Sequence, residues 1–135
     1  MIQKYGDLAI QQAKEQLERW PNTHGEFLIH LEHPEFSALC PRSGYPDSGT
    51  IIVDYVPGEW VVELKAFKLL INGLRDQRIS HENVTNWVAD RLQAEIEPRS
   101  MRVIGDFMRR GGVKTVITVT RGLPYSFAEY KATTL

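Results

Sequence analysis

Cys40 and Asp47 lie in the segment LCPRSGYPD, whose residue types can carry out covalent chemistry. A cysteine attacks as a thiolate, so it needs partial exposure and a nearby base or charge. The prolines and the glycine between the two residues favour a turn that brings the Asp47 carboxyl back toward the thiol. From the residues alone two plainer interpretations stay open: Cys40 as a small buried hydrophobe, and Asp47 as a turn residue.

His81 and Glu82 form a second candidate pair, at the start of a predicted helix. A carboxylate such as that of Glu82 can bind two parallel N–H donors on the edge of a purine. The alternative is that Glu82 only interacts with the positive end of the helix dipole and that His81 is a surface residue.

Lys65 and Lys68 are spaced to share one face of another predicted helix. This face is either a solvated surface or a phosphate-binding pair, which Arg109 or Arg110 would join. Neither lysine lies in a glycine-rich phosphate loop, so a Rossmann dinucleotide unit is not supported.

The periodicity of apolar residues predicts the elements that must position these side chains. It predicts helices over residues 7–20, 65–77 and 81–96, strands over 26–33, 49–56, 101–109 and 113–121, a long loop over 34–48 and a short extended segment over 60–63. Ser80 is the expected N-cap of the last helix, and Gly111-Gly112 is the expected hairpin turn.

Two strands, two helices and two strands in this order predict an α+β fold, with both helices on one face of an antiparallel four-stranded sheet. The two open edges of such a sheet favour edge-to-edge association into a ring. The length of 135 residues predicts a single domain over 1–135, with an N-terminal extension over 1–25 and a C-terminal tail over 122–135.

The composition is that of an ordinary soluble globular protein, with 42% hydrophobic and 24% charged residues. A net charge of -1 excludes a strongly basic nucleic-acid binder and an acidic disordered chain. A single cysteine cannot form an intrachain disulfide, which fits a reducing cytoplasm, and structural zinc sites built on several cysteines are excluded. The sequence predicts no bilayer-spanning segment, no secretory signal and no metal site.

Four blocks of the sequence resemble one family: LCPRSGYPD at Cys40, VVELKAFKLLIN at 61–72, ISHE at 79–82 and GDFMRRGGV at 105–113. In this order and spacing, over about residues 34–120, they resemble the short, single-module 7-cyano-7-deazaguanine reductases of queuosine biosynthesis. The resemblance implies the tunnelling fold, and a ring homo-oligomer of stacked pentamers with sites at the subunit interfaces.

The resemblance also implies a mechanism. Cys40 matches the nucleophile that adds to the nitrile carbon and forms a covalent thioimide, and Asp47 matches the acid that protonates the nitrogen. Two hydrides from NADPH then lead to 7-aminomethyl-7-deazaguanine. The implied substrate-binding residues are Glu82, His81, Val62 and Glu63, and the implied cofactor-binding residues are Lys65, Lys68, Arg110 and Gly111. The implied partners are a small-molecule substrate and further copies of the chain, without direct nucleic-acid contact and without a membrane.

Two other functions stay open. One is an amidine-forming, archaeosine-type transferase that acts on nitrile-bearing tRNA, and the other is a non-catalytic tunnelling-fold purine binder. The block ELKxxK favours the reductase, and the net charge of -1 does not favour a tRNA surface. The chain departs from the family pattern at Ser48-Gly49, Ala66 and Leu70.

Overall fold

The computed structural model describes residues 17–135, and this part of the chain folds into six strands and two helices. They are β1 (Arg19–Pro21), β2 (Ile29–Leu39), β3 (Pro46–Val56), β4 (Trp60–Val62), α1 (Leu64–Asn72), α2 (His81–Ile96), β5 (Ser100–Arg110) and β6 (Val113–Gly122). None of the described helices is long and apolar enough to cross a bilayer.

The main sheet has four antiparallel strands in the order β2-β3-β5-β6. The hairpins β2–β3 and β5–β6 are joined side by side through β3 and β5, so β2 and β6 form the two edges. This confirms the predicted α+β sheet of two hairpins. A second, two-stranded sheet of β1 and β4 was not predicted.

Both helices cover the same face of the main sheet. Helix α2 packs on β5 and β6, and α1 packs on β2. Their apolar stripes are buried as the helical period predicts: Phe67, Leu70 and Ile71 on α1, and Val84, Trp87, Val88, Leu92 and Ile96 on α2. The Ser80 hydroxyl accepts from Asn83 N at 3.1 Å, which confirms Ser80 as the N-cap of α2.

The long loop predicted over 34–48 is wrong, because both flanking strands extend into it. β2 runs to Leu39 and β3 begins at Pro46, so only residues 40–45 connect them. The register of β2 shifts between His33 and Phe36, where two residues on β2 oppose one on β3. Pro34 lies in this bulge on an edge strand, where a missing N–H interrupts the ladder least.

Two predicted helices also differ from the structure. The helix predicted over 65–77 ends at Asn72 with Gly73 as its C-cap, and turns with i to i+3 bonds follow, such as Gln77 N to Leu74 O at 3.0 Å. The helix predicted over 7–20 lies mostly outside the described residues. It is wrong at Arg19 and Trp20, which pair with β4 in a strand, so tertiary pairing overrides the local period.

The C-terminal segment, residues 123–135, runs back over the face of β5 that points away from the helices. Side chains alternate along a strand, so Arg102 and Asp106 face the side opposite to Phe107, which is in the helix-covered core. The Arg102 guanidinium lies 5.1 Å from the ring centre of Phe127, and the Tyr130 hydroxyl donates to Asp106. The segment therefore covers part of the second face of the sheet.

Candidate active site

Cys40 opens the short loop between β2 and β3. Its N–H donates to Tyr45 O at 2.8 Å, and its carbonyl accepts from Gly44 N at 2.8 Å. Gly44 has a φ of 77°, and an added Cβ would lie 2.8 Å from an Arg78 guanidinium nitrogen, so glycine is required there. These bonds hold Cys40 half-buried at one end of the sheet.

The start of α2 is fixed beside this loop by backbone pairing. Leu39 N donates to Gln77 O at 2.9 Å, and Ile79 N donates to Leu39 O at 3.1 Å. This short parallel bridge ties the residues that precede α2 to the residue that precedes Cys40. His81, the first residue of α2, is therefore brought to the same end of the sheet as Cys40.

Asp47 is buried against two side chains that can carry positive charge. The residue is 3% exposed, its carboxyl accepts a hydrogen bond from the guanidinium of Arg110, and its Oδ2 lies 3.5 Å from His81 Nε2. The register that pairs Gly49 with Phe107 places Arg110, at the end of β5, next to the start of β3. Arg110 was predicted to contact the cofactor, whereas here its direct partner is Asp47.

The Cys40 thiol is acidic for a cysteine. Hydrogen bonds from the Ser43 side chain first, then from the backbone of Ser43 and Arg42, lower its pKa to about 7. Desolvation and the neighbouring Asp47 act in the opposite direction. Asp47 mainly, and Cys40 in addition, raise the pKa of Arg110. A thiol with this pKa is substantially thiolate near neutral pH, as a nucleophile requires.

The His81 ring is held by an aromatic contact. It stacks on Phe107 with ring centres 4.0 Å apart and an interplanar angle of 6°. Next to it, Glu82 is exposed, and its carboxylate has no hydrogen bond or ion pair within the described residues. Glu82 is therefore free to bind N–H donors of a ligand.

Val62 and Glu63 lie at the other end of the sheet. Val62 N donates to the Tyr55 hydroxyl at 3.1 Å. Tyr55 and Asp47 are both on β3, and a rise of about 3.3 Å per residue separates them by roughly 26 Å. Within one chain, Val62 and Glu63 are thus not brought to Cys40.

Glu63 is the N-cap of α1. Its carboxylate accepts from Lys65 N at 2.8 Å and from Ala66 N at 2.9 Å. A cavity of about 470 Å³ lies beside Val62 and Glu63, and its walls include Trp20, Phe27 and Tyr55. This volume and its mainly apolar walls suit a planar ring system.

Lys65 and Lys68 are exposed on the first turns of α1, as predicted, and neither has an ion pair in the part of the chain that the structure describes. Their ammonium groups therefore fit the phosphates of a nicotinamide dinucleotide. Arg110 fits this role less well while it contacts Asp47. Gly111 lies at the hairpin turn with a φ of 57°, and no atom lies within 4 Å of an added Cβ.

Sequence reasoning did not single out Ser43 and Phe107, although both act directly on the site. Ser43 follows Cys40 in a proline-containing turn, a position where a hydroxyl commonly bonds nearby groups. Phe107 could be found only as a core position of a strand. Within residues 17–135, no group of three or more His, Cys, Asp or Glu side chains is arranged to hold a metal ion.

Comparisons with known proteins show the family to which this chain belongs. The family described as QueF-like protein matches residues 46–125. The NADPH-dependent 7-cyano-7-deazaguanine reductase of a Nitratiruptor species is 48% identical over 119 residues, which cover 86% of this chain and 91% of that protein. The reductase of the same name from Thermosynechococcus vestitus is 51% identical over 118 residues, which cover 86% of this chain and 88% of that protein.

A solved structure agrees with the fold. The crystal structure of the archaeosine synthase QueF-Like in the apo form superposes with a TM-score of 0.69 at 24% identity, and covers 75% of this chain and 100% of that chain. At this identity the similarity shows the fold alone. This fold defines a tunnelling-fold protein of the α+β type.

The relatives narrow this class further. The chain belongs to the family of the NADPH-dependent 7-cyano-7-deazaguanine reductases, which are QueF-like proteins. The resemblance of the four sequence blocks is confirmed.

Proposed function

We propose that this protein reduces the nitrile of 7-cyano-7-deazaguanine to the aminomethyl group of 7-aminomethyl-7-deazaguanine with NADPH, in queuosine biosynthesis. The observation that carries this proposal is the Cys40 thiol, with a pKa of about 7, held at the same end of the sheet as the buried Asp47. Names of relatives at 43–51% identity support the same substrate and cofactor.

Cys40 starts the reaction. Its thiolate adds to the nitrile carbon, so an S–C bond forms and one π bond of the C≡N group breaks. Asp47 takes the proton that the Cys40 thiol loses and passes it to the nitrile nitrogen, so the product is a neutral thioimide on Cys40. A nitrile accepts hydride poorly, and the covalent adduct divides a difficult reduction into easier steps.

The cofactor supplies the electrons: two molecules of NADPH provide two hydrides, and with two protons they convert nitrile to amine and leave two NADP+. Cys40 departs as a thiolate when the C–S bond breaks, and the resulting imine stays in the site until it is reduced to the amine. Lys65 and Lys68 hold the cofactor through its phosphates, because each ammonium is a mobile point charge on an exposed helix face.

Glu82 and His81 hold the ring system of the substrate. The free carboxylate of Glu82 accepts two parallel N–H bonds from the pyrimidine edge of the deazaguanine. His81, fixed against Phe107, lines the pocket next to it. Both residues start α2, which the bridge to Leu39 ties to the Cys40 loop.

The site is completed by a second subunit. Val62 is bonded to Tyr55, which lies roughly 26 Å from Asp47 along β3 at about 3.3 Å per residue, and Glu63 follows Val62 in the chain. Within residues 17–135 no strand pairs with the outer edges of β2 and β6, and these edges allow the sheets of neighbouring copies to join into a ring of stacked pentamers. In such a ring the cavity at Val62 of one subunit can face Cys40 of the next.

A mixing experiment tests this arrangement. Cys40→Ala and Glu63→Ala are each expected to be inactive as pure oligomers. After the two variants are unfolded and refolded together, a composite site predicts that part of the activity returns, because some interfaces pair an intact Cys40 with an intact Glu63. Activity no higher than the sum of the two pure variants would refute a site shared between subunits.

The reaction itself is tested by NADPH consumption on addition of 7-cyano-7-deazaguanine, with the amine quantified in parallel. Two NADPH oxidised per amine are expected, and Cys40→Ala should show neither consumption nor a mass adduct. Without consumption, an intact-mass adduct on Cys40 would indicate the amidine-forming transferase. Absence of both would indicate a binder without turnover.

We place the reaction in the cytoplasm, since Cys40 must remain a reduced thiol to act.

A further inference from the structure

Asp106, on β5, is the centre of a buried hydrogen-bond cluster outside the active site. Its side chain is 0% exposed, and Lys114 Nζ lies 2.5 Å from its Oδ1. Its Oδ2 accepts from the Tyr130 hydroxyl and from Thr133 N, the latter at 2.8 Å. Tyr130 and Thr133 belong to the C-terminal segment, so a single carboxylate fastens this segment to β5.

The same segment also bonds to the bulge of β5. The register of β5 and β6 shifts between Phe107 and Arg110, where two residues on β5 oppose one on β6. Arg109 N, within this bulge, donates to Leu135 O at 3.3 Å, and Arg109 Nε donates to Thr134 O at 3.3 Å. The end of the C-terminal segment therefore takes the place of the missing ladder partner.

Lys114 joins the two sets of bonds. Its Nζ donates to Phe107 O at 2.9 Å and to Leu135 O at 3.1 Å, in addition to its ion pair with Asp106. The backbone from Asp106 to Arg109 is thus held on one side by the C-terminal segment. On the other side, Phe107 carries the stacked His81 ring.

Arg110 is the residue directly after this bulge, and its guanidinium bonds to Asp47. We propose that Asp106 and Tyr130 are positioning residues of the active site, because they hold the β5 bulge from which Arg110 reaches Asp47. The C-terminal segment is then a functional part of the site, although it touches none of its reacting atoms. This inference rests on the proposed function only for its effect on turnover.

The charges of the cluster fit this role. Burial raises the pKa of Asp106, but the bonds from Lys114, Tyr130 and Thr133 outweigh it and lower the pKa below its ordinary value. Burial, followed by the bond to Asp106, raises the pKa of Tyr130. Asp106 is thus ionised and Tyr130 is a neutral donor at neutral pH, so the bonds persist where an enzyme of this kind works.

Tyr130→Phe tests the proposal, since it removes one hydroxyl and keeps the ring. The matched control is Tyr125→Phe, the same change in the same segment, where the tyrosine ring contacts Phe127 at 4.7 Å. The first readout is the pH dependence of Cys40 alkylation by iodoacetamide. We expect Tyr130→Phe to move the midpoint upward by a few tenths of a pH unit or more, because Arg110 then no longer neutralises Asp47, whose negative charge raises the pKa of the Cys40 thiol. Tyr125→Phe should leave the midpoint unchanged.

A double-variant cycle with Arg110→Ala shows whether the effect passes through Arg110. In the Arg110→Ala background, Tyr130→Phe should cause no further change in the alkylation midpoint. An unchanged midpoint in Tyr130→Phe, or an equal shift with and without Arg110, would overturn the proposal. Asp106→Asn should give the larger shift, and Tyr130→Phe keeps the test decisive if Asp106→Asn does not fold.

Turnover gives a separate readout. Tyr130→Phe should lower kcat severalfold, leave the KM for NADPH within about twofold, and unfold at the same temperature as Tyr125→Phe within a few degrees. A loss confined to KM, or a loss of activity that follows only from lower thermal stability, would refute positioning. If the protein lacked reductase activity altogether, the alkylation cycle would still decide the inference, so the two proposals fail separately.

Discussion

The imidazole ring of His81 lies parallel to the phenyl ring of Phe107, with 4.0 Å between the ring centres. His81 begins α2 and Phe107 lies on β5, so this contact sets the first turn of the helix against the sheet at the candidate active site. Gly105 makes room for it, because a Cβ there would lie 2.5 Å from Thr85 Oγ1 and 2.6 Å from the Phe107 ring.

Gly105→Ala should therefore disturb both stability and the site. We expect a loss of about 1–3 kcal/mol in the free energy of unfolding, typical of overpacking in a filled core, and a lower rate of substrate turnover as the Phe107 ring shifts. Urea denaturation and steady-state kinetics measure the two effects. Gly25→Ala is the control, since no atom lies within 4 Å of an added Cβ at Gly25. Equal stability of the two variants would contradict the prediction.

The acidity of Cys40 should depend on Ser43. The rate of Cys40 alkylation should rise with pH with a midpoint of about 7, because hydrogen bonds from Ser43 stabilise the thiolate. Ser43→Ala should move the midpoint upward, and Ser126→Ala, an exposed serine in the C-terminal segment, should not. A midpoint that stays at about 7 in Ser43→Ala would show that another group holds the thiolate.

Glu82 should dominate binding of the substrate ring. In a Cys40→Ala background, where no adduct forms, Glu82→Gln should weaken binding of 7-cyano-7-deazaguanine by more than about 1 kcal/mol, since a charge-assisted bidentate contact is lost. Titration calorimetry measures the change. Glu97→Gln, at the opposite end of α2, is the control, and an unchanged affinity in Glu82→Gln would remove this residue from the site.

Lys65 and Lys68 should serve the cofactor and not the nucleophile. The double variant Lys65→Ala/Lys68→Ala should raise the KM for NADPH about tenfold or more, since each lost ammonium–phosphate contact is worth about 1 kcal/mol. Formation of the Cys40 adduct, followed by intact mass, should remain. Lys131→Ala, an exposed lysine elsewhere, is the control. Loss of the adduct would mean that the lysines support Cys40 or the fold.

The His30–Asp54 pair should make stability depend on pH. The bond to Glu32 first, then the bond to Asp54 at 2.6 Å, raise the pKa of His30 above its ordinary value. Protonated His30 therefore stabilises the folded state. This contribution to the free energy of unfolding is complete below about pH 6.5 and is lost as the pH rises through the pKa of His30 in the folded state. Because the imidazole is 47% exposed, the loss should be below about 1 kcal/mol.

Urea denaturation at pH 5.5 and at pH 8 measures this loss. The difference in unfolding free energy between the two pH values should shrink in His30→Gln and should persist in His24→Gln, an exposed histidine without an ion pair among residues 17–135. A pH dependence that is the same in wild type and His30→Gln would refute the prediction.

Local patterns in the sequence were sufficient for α2, for the start of α1 and for the order of the hairpins. The helical period of Trp87, Val88 and Leu92 predicts the buried face of α2, and Ser80 and Gly111-Gly112 predict an N-cap and a turn. Such signals depend on contacts within a few residues, so they can be read from the chain alone. The sequence also showed that Cys40 and Asp47 belong to one motif, because both lie in a single short segment.

Only the tertiary structure decided which distant residues meet. The bond between Arg110 and Asp47 depends on the pairing of β3 with β5, and the stacking of His81 on Phe107 depends on the packing of α2 on the same strand. β2 continues through the bulge at Pro34 as far as Leu39, so the loop that follows it is short, although the proline content of this segment predicted a long one. The separation of Val62 from Cys40 along the sheet also follows from strand length. Each of these features is set by long-range pairing and packing, whose energies come from residues far apart in the chain, and no local pattern encodes them.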